Sequence, residues 1–476
     1  MVMPAKVSKL LAALGRDCGG FLDAIRQPRP IRPGLYTYRM SPPGGTRRLH
    51  LRIDADGSGL LLVDATDAVH LNPTAALVAR LTLEGASLGQ IAGHLRRVFR
   101  GIDANQLARE ASAVHEAVRH VATTTDLCPT CGLERVAQSP PFGTPPNAPY
   151  KADLALTYGC NNRCAHCYNP PARARMPSLD LAGWKRVLDR LVDVGIPHGI
   201  FTGGEPTLVR GLADLIAHAE ALGLITGLNT NGRRMADRGF AQSLADAGLC
   251  HVQVTLESPQ PEVHNAMTGA RAFSETVRGI RNSLASGLCT ITNTTLTRQN
   301  AGQAEALVEY LHDLGLRTFA VNGMIYSGAG RTAVDAISPG EMGPLLARLR
   351  DRAGELGMRM LWYTPTAYCE LSPVELGLDP RRCNAGEYSV CIEPNGDVLP
   401  CQSYYHPVGN LLDDPWESIW NSPLFCSFRG RSDDPARSGL PVKCWDCPDL
   451  DLCGGGCRIE RENAPCLPGR QERIVR

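Results

Sequence analysis

Ala152-Asp-Leu-Ala-Leu-Thr157 runs straight into Tyr158-Gly-Cys160-Asn-Asn-Arg-Cys164-Ala-His-Cys167-Tyr168, and the fold turns on this segment. The first six residues predict a mostly buried strand, and the loop after it carries three cysteines at CxxxCxxC spacing. Three thiolates from one loop hold three irons of a [4Fe–4S] cube and leave the fourth iron open. An open position is what a catalytic metal needs. On spacing alone a zinc loop with His166 as an extra ligand, or coincidence, stays open.

Downstream the pattern alternates strand and helix. Strands are predicted over 152–157, 199–202, 225–229, 251–256, 290–296 and 318–324, with helices such as 184–194 and 304–314 between them. Repeated βα units of this kind imply an α/β fold with a parallel sheet or partial barrel. Ligands in such folds bind at the carboxyl ends of the strands. The second strand ends there in Phe201-Thr-Gly203-Gly204-Glu205-Pro206-Thr207. Two glycines admit close backbone approach, and Glu205 offers a carboxylate to an ammonium group. Alone, this motif is also explained by a simple turn.

CxxxCxxC after the first strand and Gly-Gly-Glu-Pro after the second resemble the radical S-adenosylmethionine (SAM) superfamily over about 151–365. The resemblance implies a partial (β/α)6 barrel, with Cys160, Cys164 and Cys167 on the cluster and SAM chelating its open iron. It implies Gly203, Gly204, Glu205 and Pro206 beside the methionyl amine and Asn231, in Asn229-Thr-Asn231-Gly232, on the ribose side. Thr255 and Glu257 on the fourth strand and Asn293 on the fifth stand where SAM contacts usually lie, although a polar strand end is more often just solvated. His166 takes the place of the usual aromatic. The chemistry implied is reductive cleavage of SAM to a 5′-deoxyadenosyl radical that abstracts hydrogen from an unactivated C–H bond.

From about 366 the alternation ends and the chain turns rich in Cys, Pro, Gly and Asp. Such a segment lacks a hydrophobic core and is expected to need metal clusters. Cys383-x12-Gly396-x4-Cys401, then Cys444-x2-Cys447-x5-Cys453-x3-Cys457 and Cys466, resemble the SPASM extension of radical SAM enzymes. That resemblance implies two auxiliary [4Fe–4S] clusters, three clusters in all. One set is Cys383, Cys401 and Cys457 with Cys369 as a fourth; the other is Cys444, Cys447, Cys453 and Cys466. A pair of zinc ribbons is the alternative. Cys250 and Cys289 begin strands and read as core residues, whereas Cys391 reads as structural or a substitute ligand. Cys128 and Cys131 have half-site spacing without a second pair nearby.

Toward the N-terminus, residues 122–149 contain six prolines and read as a linker. Residues 47–121 form a small unit: strands over 49–53 and 60–63, then three helices opened by Asn72-Pro73, Ser87/Gln90 and Asp103/Gln106. This winged-helix-like unit resembles the peptide chaperone of pyrroloquinoline quinone biosynthesis, the RiPP recognition element. The resemblance implies that a leader peptide adds a strand at an edge near Leu49–Ile53. Residues 1–46 read as a partly ordered arm. The domains expected are 1–125 for recognition, a 126–150 linker, a 151–365 barrel and a 366–476 cluster domain.

With 49 basic and 48 acidic side chains the net charge is +1, which makes no case for nucleic acid as the main partner. At 43% apolar and 20% charged residues, wholesale disorder is excluded. No apolar run reaches the ~20 residues of a membrane span. The chain is expected in the cytoplasm, where thiols stay reduced and its 18 cysteines point to metal or catalysis.

The function expected is modification of a leader-bearing peptide or small protein, with an intrapeptide thioether or C–C crosslink formed. A flavodoxin or ferredoxin is the expected electron donor. The competing functions are formylglycine formation of the sulfatase-maturing type, haem or cofactor maturation, and a non-enzymatic iron–sulfur sensor or scaffold. Asp237, Glu257, Glu370 and Glu387 are available as a base, and the sequence ranks none of them.

Overall fold

The computed structural model describes residues 32–40, 47–63, 67–98, 104–123 and 148–464. The chain forms two compact units, Met1–Pro140 and Pro141–Arg476.

The first unit is an antiparallel sheet in the order β1 (Gly34–Met40), β2 (Arg47–Ile53), β3 (Gly59–Val63), β4 (Asp67–Leu71). Three helices follow it, Pro73–Leu83, Leu88–Val98 and Ala104–Thr123. The period-two residues Leu49, Leu51 and Ile53 enter one core with Ile91, Leu95 and Val118 from the helices. Asn72 caps the first helix by accepting from Ala75 N at 2.8 Å. Ser87 and Gln90 close the second reciprocally, at 2.8 and 3.4 Å. The cap read at Asp103 lies outside the described residues.

Two expectations are corrected here. Residues 34–40 form a strand rather than an arm, and that strand pairs along the whole of β2. β2 therefore lies inside the sheet, with β3 on its other side, and residues 49–53 offer no edge. The outermost of the described strands are β1 and β4. The alternation in β2 sorts apolar from polar side chains, yet His50 and Arg52 are buried as fully as Leu49 and Leu51, and it carries no information about which strands lie beside it. β1 is mostly half-buried, so its own pattern is weak.

The second unit is built on six parallel strands, β5 (Lys151–Thr157), β6 (His198–Gly203), β7 (Ile225–Thr230), β8 (His251–Thr255), β9 (Cys289–Thr295) and β10 (Thr318–Asn322). They lie side by side in chain order. β11 (Arg359–Trp362) extends this sheet beside β10. β12 (Ser389–Ile392) adds parallel to β5, and β13 (Val398–Leu399) pairs antiparallel with β12. The Cys-rich segment thus continues the barrel sheet and places Val390, Cys391, Ile392, Val398 and Leu399 in its buried interior. Helices cover the outer face; Leu181–Val194, for example, buries Trp184, Val187, Leu188 and Leu191. Among the described residues no helix is long and apolar enough to cross a membrane.

Candidate functional site

The loop bearing Cys160, Cys164 and Cys167 leaves the carboxyl end of β5 and is gripped from several sides. Arg163 N and Ala165 N donate to the carbonyls of Thr268 and Met267 at 2.9 and 3.0 Å, which seats the loop on the helix Pro261–Thr268. Ala329 N donates to Cys167 O at 2.8 Å from the far side. Asn231 Nδ2 donates to Asn161 Oδ1 at 2.6 Å. Arg233 Nη1 donates to Asn161 O at 2.5 Å and Asn162 Oδ1 at 3.1 Å, while its Nε donates to Glu275 at 2.6 Å. The loop after β7 thus orients the cysteine loop.

Gly203 and Gly204 make this close packing feasible. Gly203 has φ +125°, and a Cβ on it would run into Thr157 O. A Cβ on Gly204 would fall 2.6 Å from Tyr158 O. Their backbone is zipped to the strand that enters the cysteine loop, with Gly204 N on Thr157 O at 2.6 Å and Glu205 N on Gly159 O at 2.9 Å. Glu205 is 1% exposed. Its carboxylate accepts from Thr207 N, Thr207 Oγ1, Thr230 Oγ1 and Asn231 N at 3.1, 2.6, 2.6 and 2.8 Å. Burial raises its pKa against the pull of those bonds. Glu205 therefore pins the ends of β6 and β7 together.

Thr255 and Asn293 pair in register on β8 and β9. In parallel neighbours this puts both side chains on one face, shared with Gln253 and Ile291 two residues earlier. Gln253, Thr255 and Asn293 are half-buried, whereas Val252 and Val254 between them are fully buried. Asn293 Oδ1 is buried and has no hydrogen-bond partner among the described residues. An orphaned acceptor at the carboxyl end of the sheet fits a polar ligand.

Of the acidic residues available as a base, Glu257 alone lies at the cysteine loop. It is fully buried, 3.0 Å from His166 Nε2, and accepts from Thr295 N at 2.8 Å. Burial lowers the His166 pKa, but the charge and hydrogen bond of Glu257 outweigh this and raise it. Asp237 caps a helix through Gly239 N and Phe240 N. Glu370 faces Lys443 at 3.8 Å, and Glu387 is buried between Arg382 and Arg431.

Sequence reading missed the stitching behind Cys167. Asn169 Nδ2 donates to Gly203 O at 2.8 Å. Tyr168 OH donates to Gln402 Oε1 at 3.2 Å, and Tyr405 OH to Asn169 Oδ1 at 2.7 Å. Arg173 stacks over the Tyr405 ring at 4.4 Å and pairs with the buried Glu393. The partners of Tyr168 and Tyr405 are more than 200 positions away in sequence, and no local signal links them.

In the Cys-rich segment the thiols fall into two groups. Burial, then the Cys383 thiol, Glu460 and last the Cys401 thiol, push Cys457 up. Burial, then Cys369 and Cys453, push Cys444 up. Lys443, which precedes Cys444, donates to Cys369 Sγ at 3.4 Å, and Tyr368 N donates to Cys453 Sγ at 3.3 Å, so the Cys369 turn lies beside these two thiols. Cys391 is buried against Ala155, Tyr158 and Leu399. Cys289 is exposed and Cys250 partly so, which corrects their reading as core residues: both stand at the amino-end rim of the sheet. Cys128, Cys131 and Cys466 lie outside the described residues. Among those described, no three His, Cys, Asp or Glu converge on a single-ion site. A cube differs in spreading its thiolates over separate irons. The free thiols of each group are the donors such a cube takes.

A partial parallel barrel with a cysteine loop at the end of its first strand, continued by a Cys-rich extension, defines an iron–sulfur radical enzyme. The Radical SAM superfamily pattern matches residues 154–322, and the SPASM pattern, an iron–sulfur cluster-binding domain, matches 383–448. The chain belongs to the radical SAM superfamily, in its SPASM-bearing branch. Its cofactors are a SAM-binding [4Fe–4S] cluster, auxiliary clusters and SAM. It is 30% identical over 331 residues to the PqqA peptide cyclase of Xanthomonas campestris pv. campestris, covering 66% of this chain and 82% of that one. To the PqqA peptide cyclase of Streptomyces rochei it is 30% identical over 325 residues, covering 66% and 85%. Streptococcus suis SuiB bound to its precursor peptide SuiA superposes with TM-score 0.63 at 17% identity, over 89% of this chain and 96% of that one. SuiB bound to S-adenosylmethionine gives 0.61 at 18%, over 87% and 95%. At these identities the likeness to SuiB is one of fold.

Proposed function

We propose that this enzyme abstracts a hydrogen atom from a ribosomally made, leader-bearing peptide or small protein and closes an intrapeptide crosslink, either a thioether or a C–C bond. The 30% identity to peptide cyclases across barrel and SPASM segment supports the substrate class. The observation that carries the crosslink is the bond from Tyr168 to Gln402. Tyr168 follows Cys167 and Gln402 follows Cys401, so the radical-forming loop and an auxiliary thiol are held in one body. A crosslink removes two hydrogens from the peptide, and a nearby redox group suits the second electron.

Cys160, Cys164 and Cys167 hold the first cluster in this reading, and Gly203, Gly204, Glu205, Pro206, Asn231, Thr255 and Asn293 border SAM. When bound and reduced, that pair supplies a 5′-deoxyadenosyl radical. The protein's part is to orient and enclose. Glu205 holds the β6 and β7 loops together, and Asn231 and Arg233 fix the cysteine loop. A flavodoxin or ferredoxin delivers the electron. The N-terminal unit acts as the leader-binding module, resembling the pyrroloquinoline quinone chaperone. The outer strands among those described are β1 and β4, and an outer strand is where a peptide adds.

The test is anaerobic capture on the Cys164→Ala chain, followed by turnover of the captured peptide by reduced wild type with SAM. The expected result is one short peptide, lost when residues 1–125 are deleted, that emerges two hydrogens lighter as 5′-deoxyadenosine accumulates. 5′-Deoxyadenosine formed with no peptide product would overturn the substrate class. Unchanged turnover by the truncated chain would overturn the role of the N-terminal unit.

A further inference from the structure

The family spacing puts Cys369 with Cys383, Cys401 and Cys457. The structure assigns it elsewhere: we propose that Cys369 is a cluster ligand of the second auxiliary site, together with Cys444, Cys447 and Cys453. This inference rests on the auxiliary clusters of the SPASM branch and is independent of which peptide is modified.

Contacts on both sides of Cys369 carry the assignment. Tyr368 N, next in the chain, donates to Cys453 Sγ at 3.3 Å. Cys453 Sγ in turn donates to Thr366 O at 3.8 Å. On the other side Lys443 Nζ donates to Cys369 Sγ itself at 3.4 Å, and Lys443 immediately precedes Cys444. Cys447 N donates to Cys444 O at 3.3 Å, and both side chains pack with Leu440 and Leu450. Cys369, Cys444, Cys447 and Cys453 thus belong to one neighbourhood.

The first auxiliary site has different neighbours. Cys401 and Cys457 pack against one apolar cluster with Met324 and Tyr326, Cys383 lines a cavity with Gly456 and Arg458 on either side of Cys457, Arg431 Nη1 donates to Cys383 O at 2.8 Å, and Ser403 N donates to Cys401 Sγ at 3.4 Å. Cys391, the nearest candidate by sequence for a substitute, is taken up by the core around Tyr158. The site keeps three thiolates from its own set. Family spacing reserves the fourth position of the second site for Cys466; in this proposal Cys369 takes it.

Serine substitutions in the reconstituted full chain test the assignment, because an alkoxide or water in place of a thiolate changes a cluster's g-values and potential. The electron paramagnetic resonance signal altered by Cys369→Ser should be the one altered by Cys444→Ser, and the signal altered by Cys401→Ser should be untouched. A second series guards against misfolding. In a chain with Cys160, Cys164, Cys167, Cys383, Cys401 and Cys457 all replaced by alanine, Cys369→Ser should still change the remaining signal. The assignment is overturned if Cys369→Ser alters the signal shared with Cys401→Ser. It is equally overturned if Cys369→Ser alters neither signal. These spectra do not depend on peptide turnover, so a failure here is separable from a failure of the proposed function.

Discussion

His166 Nε2 lies 3.0 Å from the Glu257 carboxylate, joining the cysteine loop to the end of the fourth barrel strand. Glu257 is fully buried. Removing one partner of such a pair leaves an uncompensated charge, whereas replacing both removes the problem. His166→Phe should cost about 3–5 kcal/mol. The double variant His166→Phe/Glu257→Gln should recover much of that loss. Denaturant unfolding of the apo chain measures both, and a double variant no more stable than the single would contradict the pairing.

Gly204→Ala should damage the first cluster site in particular. The new methyl meets the backbone oxygen of Tyr158, which cannot swing away as a side chain would. The strand or the loop must move, at a cost of about 1–3 kcal/mol. Iron bound per chain and the SAM-dependent spectral change should both fall. Unaltered values would show that the β6 end is looser than its hydrogen bonds imply.

Tyr405→Phe keeps the ring under Arg173 and deletes the hydroxyl that donates to Asn169 at 2.7 Å. The expected loss is about 1 kcal/mol. Slower peptide oxidation with unchanged SAM cleavage in the absence of peptide would place the effect between the two cluster regions. A fall in both alike would point to general loosening.

A pH effect should arise at the opposite end of the barrel. His251 begins β8, hydrogen-bonds His198 at 2.8 Å, and has its pKa lowered to about 4 by burial and then by the Lys151 charge. The unfolded imidazole titrates near 6.5, so stability is intact above that pH. It declines as the unfolded state takes up a proton, and levels off below about 4, with a total loss on the order of 3 kcal/mol. His251→Gln should flatten the fall in melting temperature between those values. An equal slope in both proteins would exclude His251 as its source.

Asn72→Ala removes the cap from Ala75 N and should destabilise the N-terminal unit by about 1 kcal/mol. Because Asn72 lies in the other compact unit, cluster content should not change. Calorimetry and iron analysis on one preparation check both statements.

The cysteine loop, Gly-Gly-Glu-Pro and the individual strands of the βα run were legible because each is written within a few consecutive residues. Spacing of two or three positions bounds how far apart thiolates on one loop lie, and apolar runs between glycine-rich ends announce buried strands. The two helix caps at Asn72 and Ser87 were legible for the same reason.

Chain order alone therefore settles that this molecule is a parallel α/β barrel with a thiolate loop at its catalytic end and a Cys-rich extension. Folding settles what depends on long-range approach. It places β1 against β2 and so removes the expected docking edge. It turns Glu205 from an isolated carboxylate into the tie between two loops, and it brings Cys369 to Lys443, 74 positions away. Local periodicity reports only which face of an element is buried. Which distant side chain lies against that face emerges only when the whole chain packs.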